Sequence, residues 1–221
     1  MKAYCYYQPI DDPQFEQHDE LVRRWRGSWQ KAGWDAVVLS ERHARMHPSW
    51  AWYHAKIKDL PTTNPAAYEN ACFLRWLALA VEMRPGEVAV FGDYDVINLG
   101  FGPMEAVRIH NPGQPVNTDI NFGMGPFVLS HSQAQAIPPM MVAVTSLLRK
   151  YANPEGAHWA DMETWKAQEY GGIGWQQTVP ICLEYAPDVQ AKLVHVTYSS
   201  AHRFGTNKLD AWKELEARHV A

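Results

Sequence analysis

VAVFGDYDVIN, residues 88–98, holds the most informative pattern in this chain. Four apolar residues, Val88 to Phe91, read as a strand buried on both faces. Gly92 leads into Asp93-Tyr94-Asp95, and Val96 and Ile97 return at once to apolar character. A buried carboxylate without a partner is costly. Two of them at the end of such a strand call for a proton, a cation or water. Residues two apart on a strand share a face, so Asp93 and Asp95 can converge on one divalent ion. Hard cations such as Mg²⁺ or Mn²⁺ take oxygen ligands and often bind together with substrate phosphates. In open α/β sheets, ligands sit outside the carboxyl ends of strands, and the pair falls there. The same Asp-x-Asp pattern also occurs in turns and caps with no ligand.

The flanking sequence reads as α/β. NACFLRWLALAVEM, residues 70–83, is a helix apolar on nearly all sides, with Arg75 the one charge at its centre and Arg84-Pro85-Gly86 stopping it. A helix packed on most sides, followed by a buried strand, fits the middle of a sheet covered by helices. The chain opens with KAYCYYQPI, a strand stopped by Pro9. Leu21, Val22, Trp25 and Trp29 then share one face of a helix ended by Gly33, and WDAVVLS is a second strand. ERHARMHPSWAWYHAKI reads as partly helical, and DLPTTNPAAYEN as a loop. EVAVFGDYDVINLGF reads as the one strand that carries the acids. A long irregular region follows, rich in Gly, Pro and Asn, with FVLS as a strand inside it. SQAQAIPPMMVAVTSLLRKYAN reads as a helix that breaks at Pro138-Pro139 and resumes. A helix after Trp159, a late strand AKLVHVTYSS and an exposed terminal helix with Leu209, Trp212 and Leu215 on one face complete the chain. No repeat or linker divides it, so residues 1–221 read as one domain.

Composition narrows the function. Hydrophobic residues are 47% of the 221, enough for a substantial core, and a net charge of -4 excludes a general nucleic-acid binder. Cys5, Cys72 and Cys182 are odd in number and far apart, as in a reduced compartment. MKAYCYYQPI lacks the apolar run of a signal peptide, and no stretch is long enough to span a bilayer. The expectation is a soluble, cytoplasmic protein. Trp50, Trp52, Trp159 and Trp175 are candidates to stack on a sugar, although core packing is the commoner use of such rings. GGIGW lacks the strand-to-helix context of a dinucleotide site, and no phosphate-loop lysine motif is present.

The order of these features resembles the DXD-type glycosyltransferases of the GT-A fold, particularly the group with Golgi α-mannosyltransferases and toxin glucosyltransferases. The likeness lies in NACFLRWLALAVEMRPGEVAVFGDYDV, where Asn70, Arg75, Asp93 and Asp95 stand in places comparable to that group's arginine-bearing helix and DXD strand. Ala71-Cys72 replaces the usual Asp before the arginine segment, and Pro85-Gly86 replaces the usual double Gly. The resemblance implies a single α/β domain with a central, mostly parallel mixed sheet flanked by helices. It implies Mn²⁺ or Mg²⁺ on Asp93 and Asp95, a UDP- or GDP-sugar donor, and a donor-site role for Arg75. It implies nucleoside contacts from Tyr6, Tyr7 and Gln8, and an acceptor segment at Asn121, Gly125, Pro126 and Ser130. A late metal or diphosphate contact would come from His195, with His202 as its rival. The implied activity is transfer of a hexose to a saccharide, lipid-linked or protein acceptor. Asp161 and Glu163 in HWADMETW are candidates for the base that an inverting transfer uses on the acceptor hydroxyl.

Plainer readings stand beside these. Arg75 can be a buried structural partner of Asp93 or Asp95, His195 a hydrogen-bonded core histidine, and His158 with Asp161 a solvated helix start. Two other activities fit the acids: a metal-dependent phosphoryl or nucleotidyl transferase, and a non-catalytic binding protein of the same fold.

Overall fold

The alternation of short apolar runs with amphipathic segments produces strands β1 (Lys2–Tyr6), β2 (Asp35–Leu39), β3 (Val88–Phe91), β4 (Val96–Asn98), β5 (Val116–Asp119), β6 (Phe127–Ser130), β7 (Gln177–Glu184) and β8 (Leu193–His195). The helices are α1 (His18–Lys31), α2 (Glu41–Arg45), α3 (Trp50–Ile57), α4 (Ala66–Glu82), α5 (Pro103–Ile109), α6 (His131–Tyr151), α7 (Asp161–Tyr170), α8 (Tyr198–Arg203) and α9 (Lys208–His219). The computed structural model describes residues 1–11, 15–119, 125–151, 158–170 and 177–219, with backbone alone at 148–151, 166, 168–170 and 177.

All eight strands form one sheet in the order β2-β1-β3-β6-β5-β7-β8-β4. β1, β2, β3, β5, β7 and β8 run one way, and β6 and β4 the other. This is the expected mixed, mostly parallel sheet. Side-chain alternation along β1 and β3 feeds two apolar layers. Tyr4, Tyr6, Ala89 and Phe91 join Trp76, Leu77, Phe127 and Trp165 on one face, and Ala3, Cys5 and Val90 join Trp25, Trp29 and Trp212 on the other.

The acids do not sit in one strand. EVAVFGDYDVINLGF is two strands, β3 and β4, which lie five places apart in the sheet order. A flat sheet would separate them by about 24 Å, at ~4.8 Å per strand. The five residue steps from Phe91 to Val96 reach at most about 18 Å. The sheet must therefore curl, and the turn carrying Asp93 and Asp95 closes the gap.

Other readings need correction. α6 runs unbroken through Pro138-Pro139. Each proline removes a helical N–H, but buried Ala134, Ile137 and Met141 hold α6 in the core, and the Gln135 amide donates to the Ala80 carbonyl of α4. Packing outweighs the local penalty. The late strand is only three residues, because Thr197 caps α8 and turns the chain. β5, β7 and α5 had no clear periodic signal; β5, Val-Asn-Thr-Asp, is buried at every position despite three polar residues. Trp159 is core, Trp50 is half-buried and stacked on His54, and Trp52 is exposed. Trp175 and Asn121 lie outside the described residues. No helix among the described residues is long and apolar enough to cross a membrane.

Candidate active site

Because the sheet curls, the carboxyl ends of β1, β3, β5 and β8 surround one space. Glycine makes the approach possible at two points. A Cβ on Gly92 would sit 2.9 Å from Cα of Pro126, and one on Gly125 would sit 2.2 Å from Cβ of Asp119. Gly125-Pro126, marked in the sequence as an acceptor segment, is packed against the turn of the acids and against Asp119. On the other side, β4 and β8 pair with Val96 opposite His195, and the Val196 N–H donates to the Asp95 carbonyl (2.9 Å). Register alone places His195 beside Asp95.

The polar contacts divide the two acids in an ordered way. Arg75 Nη1 donates to Oδ1 of Asp93, and Lys208 Nζ lies 2.6 Å from Oδ2 of Asp95. The other oxygens turn inward: Asp95 Oδ1 is 3.2 Å and Asp93 Oδ2 3.9 Å from Nε2 of His195. Asp95 Oδ1 is buried, and the His195 ring nitrogen is the neighbour it faces. One ligand atom from each of Asp93, Asp95 and His195 lies within 4.8 Å of the others. Behind the imidazole, Nδ1 is 3.2 Å from Oδ2 of Asp119. A histidine whose second nitrogen meets a carboxylate presents its first nitrogen in a fixed orientation, as at many metal sites. Two carboxylates and an imidazole converging in a buried space fit a divalent cation.

The electrostatics follow from burial and these neighbours. Burial opposes a charged imidazole, but Asp95, then Asp119 and Asp93, push His195 up to about 10. Burial also opposes the charge of Asp95, yet Lys208 and His195 hold its carboxyl well below the usual range. Asp93 is raised by burial; Arg75 pulls it back and Asp95 adds to the rise. His18 is lowered to about 4 by burial and by Lys208, and its Nδ1 is hydrogen-bonded to the Tyr94 hydroxyl at 2.6 Å.

A pH test follows for His195. Its pKa in the folded chain exceeds the ordinary value of ~6.5. The cation-free protein therefore holds this stabilisation in full below pH ~6.5 and loses it as pH rises through about 10. A cation on Nε2 needs the neutral ring, so Mn²⁺ binding should release a proton and tighten as pH rises from 7. Calorimetry in buffers of different ionisation enthalpy reads that proton; binding with none released would remove His195 from the ligand set.

A cavity of about 260 Å³ opens from the acids. Its walls include Tyr6 at the end of β1 and Gln8 just beyond it, Tyr68, Cys72 and Arg75 of α4, Phe15 ahead of α1 and His18 at its first position. The Tyr6 hydroxyl donates to Gln8 (2.9 Å), and Phe15 stacks on Tyr68 with ring centres 5.2 Å apart. Of the expected nucleoside contacts, Tyr6 and Gln8 line this cavity. Tyr7 does not: it packs edge-on against Tyr94. His195 stands with the acids, whereas His202 is exposed on α8 and stacked on Tyr198.

Asp161 is neither a solvated helix start nor a wall of the cavity. It is 1% exposed, and its Oδ2 accepts from Arg75 Nε (2.8 Å), Arg75 Nη2 (2.6 Å) and Trp76 Nε1 (2.8 Å). With its oxygen so occupied, it braces Arg75. Glu163, half-buried on α7, is also off the cavity wall. Arg75 is thus a buried ion-pair partner of Asp93 and Asp161, as the plainer reading had it for Asp93, and it also lines the cavity. Sequence reasoning missed Lys208, Asp119, Tyr68, Phe15 and His18. None had a local signal: Lys208 begins an ordinary amphipathic helix, and Asp119 falls in a stretch that reads as irregular.

No protein-family model matches the chain, and no curated protein matches it in sequence. Solved structures do match it in shape. One is the apo form of mouse xyloside xylosyltransferase 1, at a TM-score of 0.60 and 8% identity, covering 90% of this chain and 98% of that one. Another is the apo-form glycosyltransferase GlyE of Streptococcus pneumoniae TIGR4, at 0.51 and 9%, covering 96% of this chain and 59% of that one. The fold is one that glycosyltransferases use. Identities this low carry the fold and leave the activity to the site.

Proposed function

We propose that the protein transfers a sugar, of the hexose class, from a nucleotide-diphosphate sugar to an acceptor hydroxyl, with Mn²⁺ or Mg²⁺ held by Asp93, Asp95 and His195. The observation that carries this reading is the convergence of these three groups at the end of a cavity walled by aromatic rings and by two cations, Arg75 and Lys208. When bound, the cation acts as a Lewis acid on the diphosphate oxygens. Tyr6, Gln8 and the Phe15–Tyr68 pair offer stacking surfaces and hydrogen bonds to base and ribose. Arg75, braced by Asp161, and Lys208 counter the charge that grows on the leaving diphosphate. Asp119 orients His195.

In the reaction the bond from the anomeric carbon to the diphosphate oxygen breaks, and its electron pair leaves with the nucleoside diphosphate. The acceptor oxygen bonds to the same carbon, and its proton passes to a diphosphate oxygen or to water.

The test is calorimetry of Mn²⁺ with and without UDP or GDP. The nucleotide should tighten Mn²⁺ at least tenfold; an unchanged affinity sinks the proposal. Product analysis separates the rival chemistry. Release of nucleoside diphosphate means cleavage at the sugar carbon, whereas release of nucleoside monophosphate means phosphoryl or nucleotidyl transfer.

A further inference from the structure

We propose that a second cavity beside the donor cavity seats the acceptor, and that this acceptor is a neutral saccharide; the assignment rests on the glycosyl-transfer reading above. The cavity, of about 270 Å³, lies between the start of α1 and the α8–α9 segment. His18, Tyr198 and Lys208 line both cavities. Since Lys208 Nζ is 2.6 Å from Asp95, the shared wall is at the acid end of the donor cavity. Transfer requires the acceptor oxygen within about 3–3.5 Å of the anomeric carbon, so on this proposal the acceptor hydroxyl reaches past the shared wall into the donor cavity.

The lining has the chemistry of sugar recognition. Tyr198 is 69% exposed and lies parallel to His202, with centroids 6.1 Å apart and planes 17° apart. An exposed aromatic face suits the C–H face of a pyranose. Leu209 adds apolar surface over the buried Leu21 and Ala201, while Gln17, Thr206 and Asn207 offer hydrogen-bonding groups. Glu16 is acidic and the Lys208 ammonium is paired with Asp95, which favours a neutral ligand over an anion.

Gln17 supplies an independent sign. Among the described residues it alone, apart from glycines, has positive φ, at 66°. It stands at the N-cap of α1, yet its side chain makes no capping bond. Left-handed backbone disfavours a residue with a Cβ, and such strain concentrates at ligand sites. Here it falls on a wall of the second cavity, with an amide not spent on the helix.

The bond made is the one written above: the saccharide's hydroxyl oxygen joins the anomeric carbon, the diphosphate leaves with the electron pair, and the proton goes to diphosphate or water.

The experiment uses the full chain with Mn²⁺ and UDP, and methyl glycosides of glucose, galactose, mannose and xylose as probes in saturation-transfer NMR. His202→Ala removes the ring beside Tyr198. Gln17→Gly removes the amide and relieves the positive φ, so it keeps the fold. At least one glycoside should bind, and its affinity should fall at least tenfold in both variants while Mn²⁺–UDP affinity stays unchanged. No glycoside signal, a signal unaltered in both variants, or a parallel loss of nucleotide affinity would each overturn the proposal. The two readings fail separately. Glycoside binding without Mn²⁺–UDP binding supports the saccharide cavity and sinks the donor reading, and Mn²⁺–UDP binding without glycoside binding does the reverse.

Discussion

Arg75→Ala should destabilise the fold by about 3–5 kcal/mol, the usual cost of leaving a buried charge without its partner. Asp161 is 1% exposed and would keep only the Trp76 N–H of its three donors. Asp93 would lose the cation that offsets both its burial and the neighbouring Asp95. For a chain of this size each kcal/mol moves the melting temperature by roughly 2–4 °C, so the loss is easily read by thermal melting. Arg75→Lys retains the charge, but a single ammonium cannot replace a planar fork that reaches both Asp161 and Asp93. It should melt above the alanine variant and still bind donor poorly. The double change Arg75→Met with Asp161→Asn, which removes both charges, should recover much of the stability while leaving donor binding weak. An Arg75→Ala protein with unchanged melting would show that the pair with Asp161 contributes nothing to the fold.

The second large effect is expected at Asp95. Asp95→Asn preserves shape and removes the charge that faces both Lys208 and His195. It should weaken Mn²⁺ binding in the presence of UDP by at least about 100-fold and reduce transfer by a similar factor or more. Asp119→Asn touches His195 and not the cavity. Its effect should be smaller, about 10–100-fold in cation affinity, the range typical when a group that orients a ligand is changed. Titration of the two variants with Mn²⁺ gives the ranking directly. If Asp95→Asn retains full affinity, or if Asp119→Asn is the more damaging, the ligand set is wrong.

Sequence alone was sufficient for whatever depends on local periodicity. α4 is legible because its apolar residues recur on nearly every face, so that Arg75 stands out as a charge in need of a partner. β1, β2 and β3 are legible as short apolar runs between turn residues, and Asp93 and Asp95 as acids placed where such a run stops. Even His195 is visible as a polar residue inside Leu-Val-His-Val. These are statements about neighbours in the chain, and burial of a periodic face is a local requirement.

Which distant groups meet is a different kind of question. Nothing near Lys208 announces that it contacts Asp95, 113 residues earlier, and nothing near Asp119 announces His195, 76 residues later. Asp161 read as a candidate acceptor base or a solvated helix start because its own segment is polar; only the fold brings the guanidinium of α4 against it. The split of residues 87–101 into two strands is likewise invisible locally, since β3 is apolar, β4 begins with Val-Ile and only four residues separate them. What separates them is the curl of the whole sheet, imposed because a five-step connection cannot span five strand spacings. That same curl carries β8 back to the acids. The chemistry of the individual residues was written in the order of the chain, but their assembly into one site depended on long-range strand pairing, which no local pattern encodes.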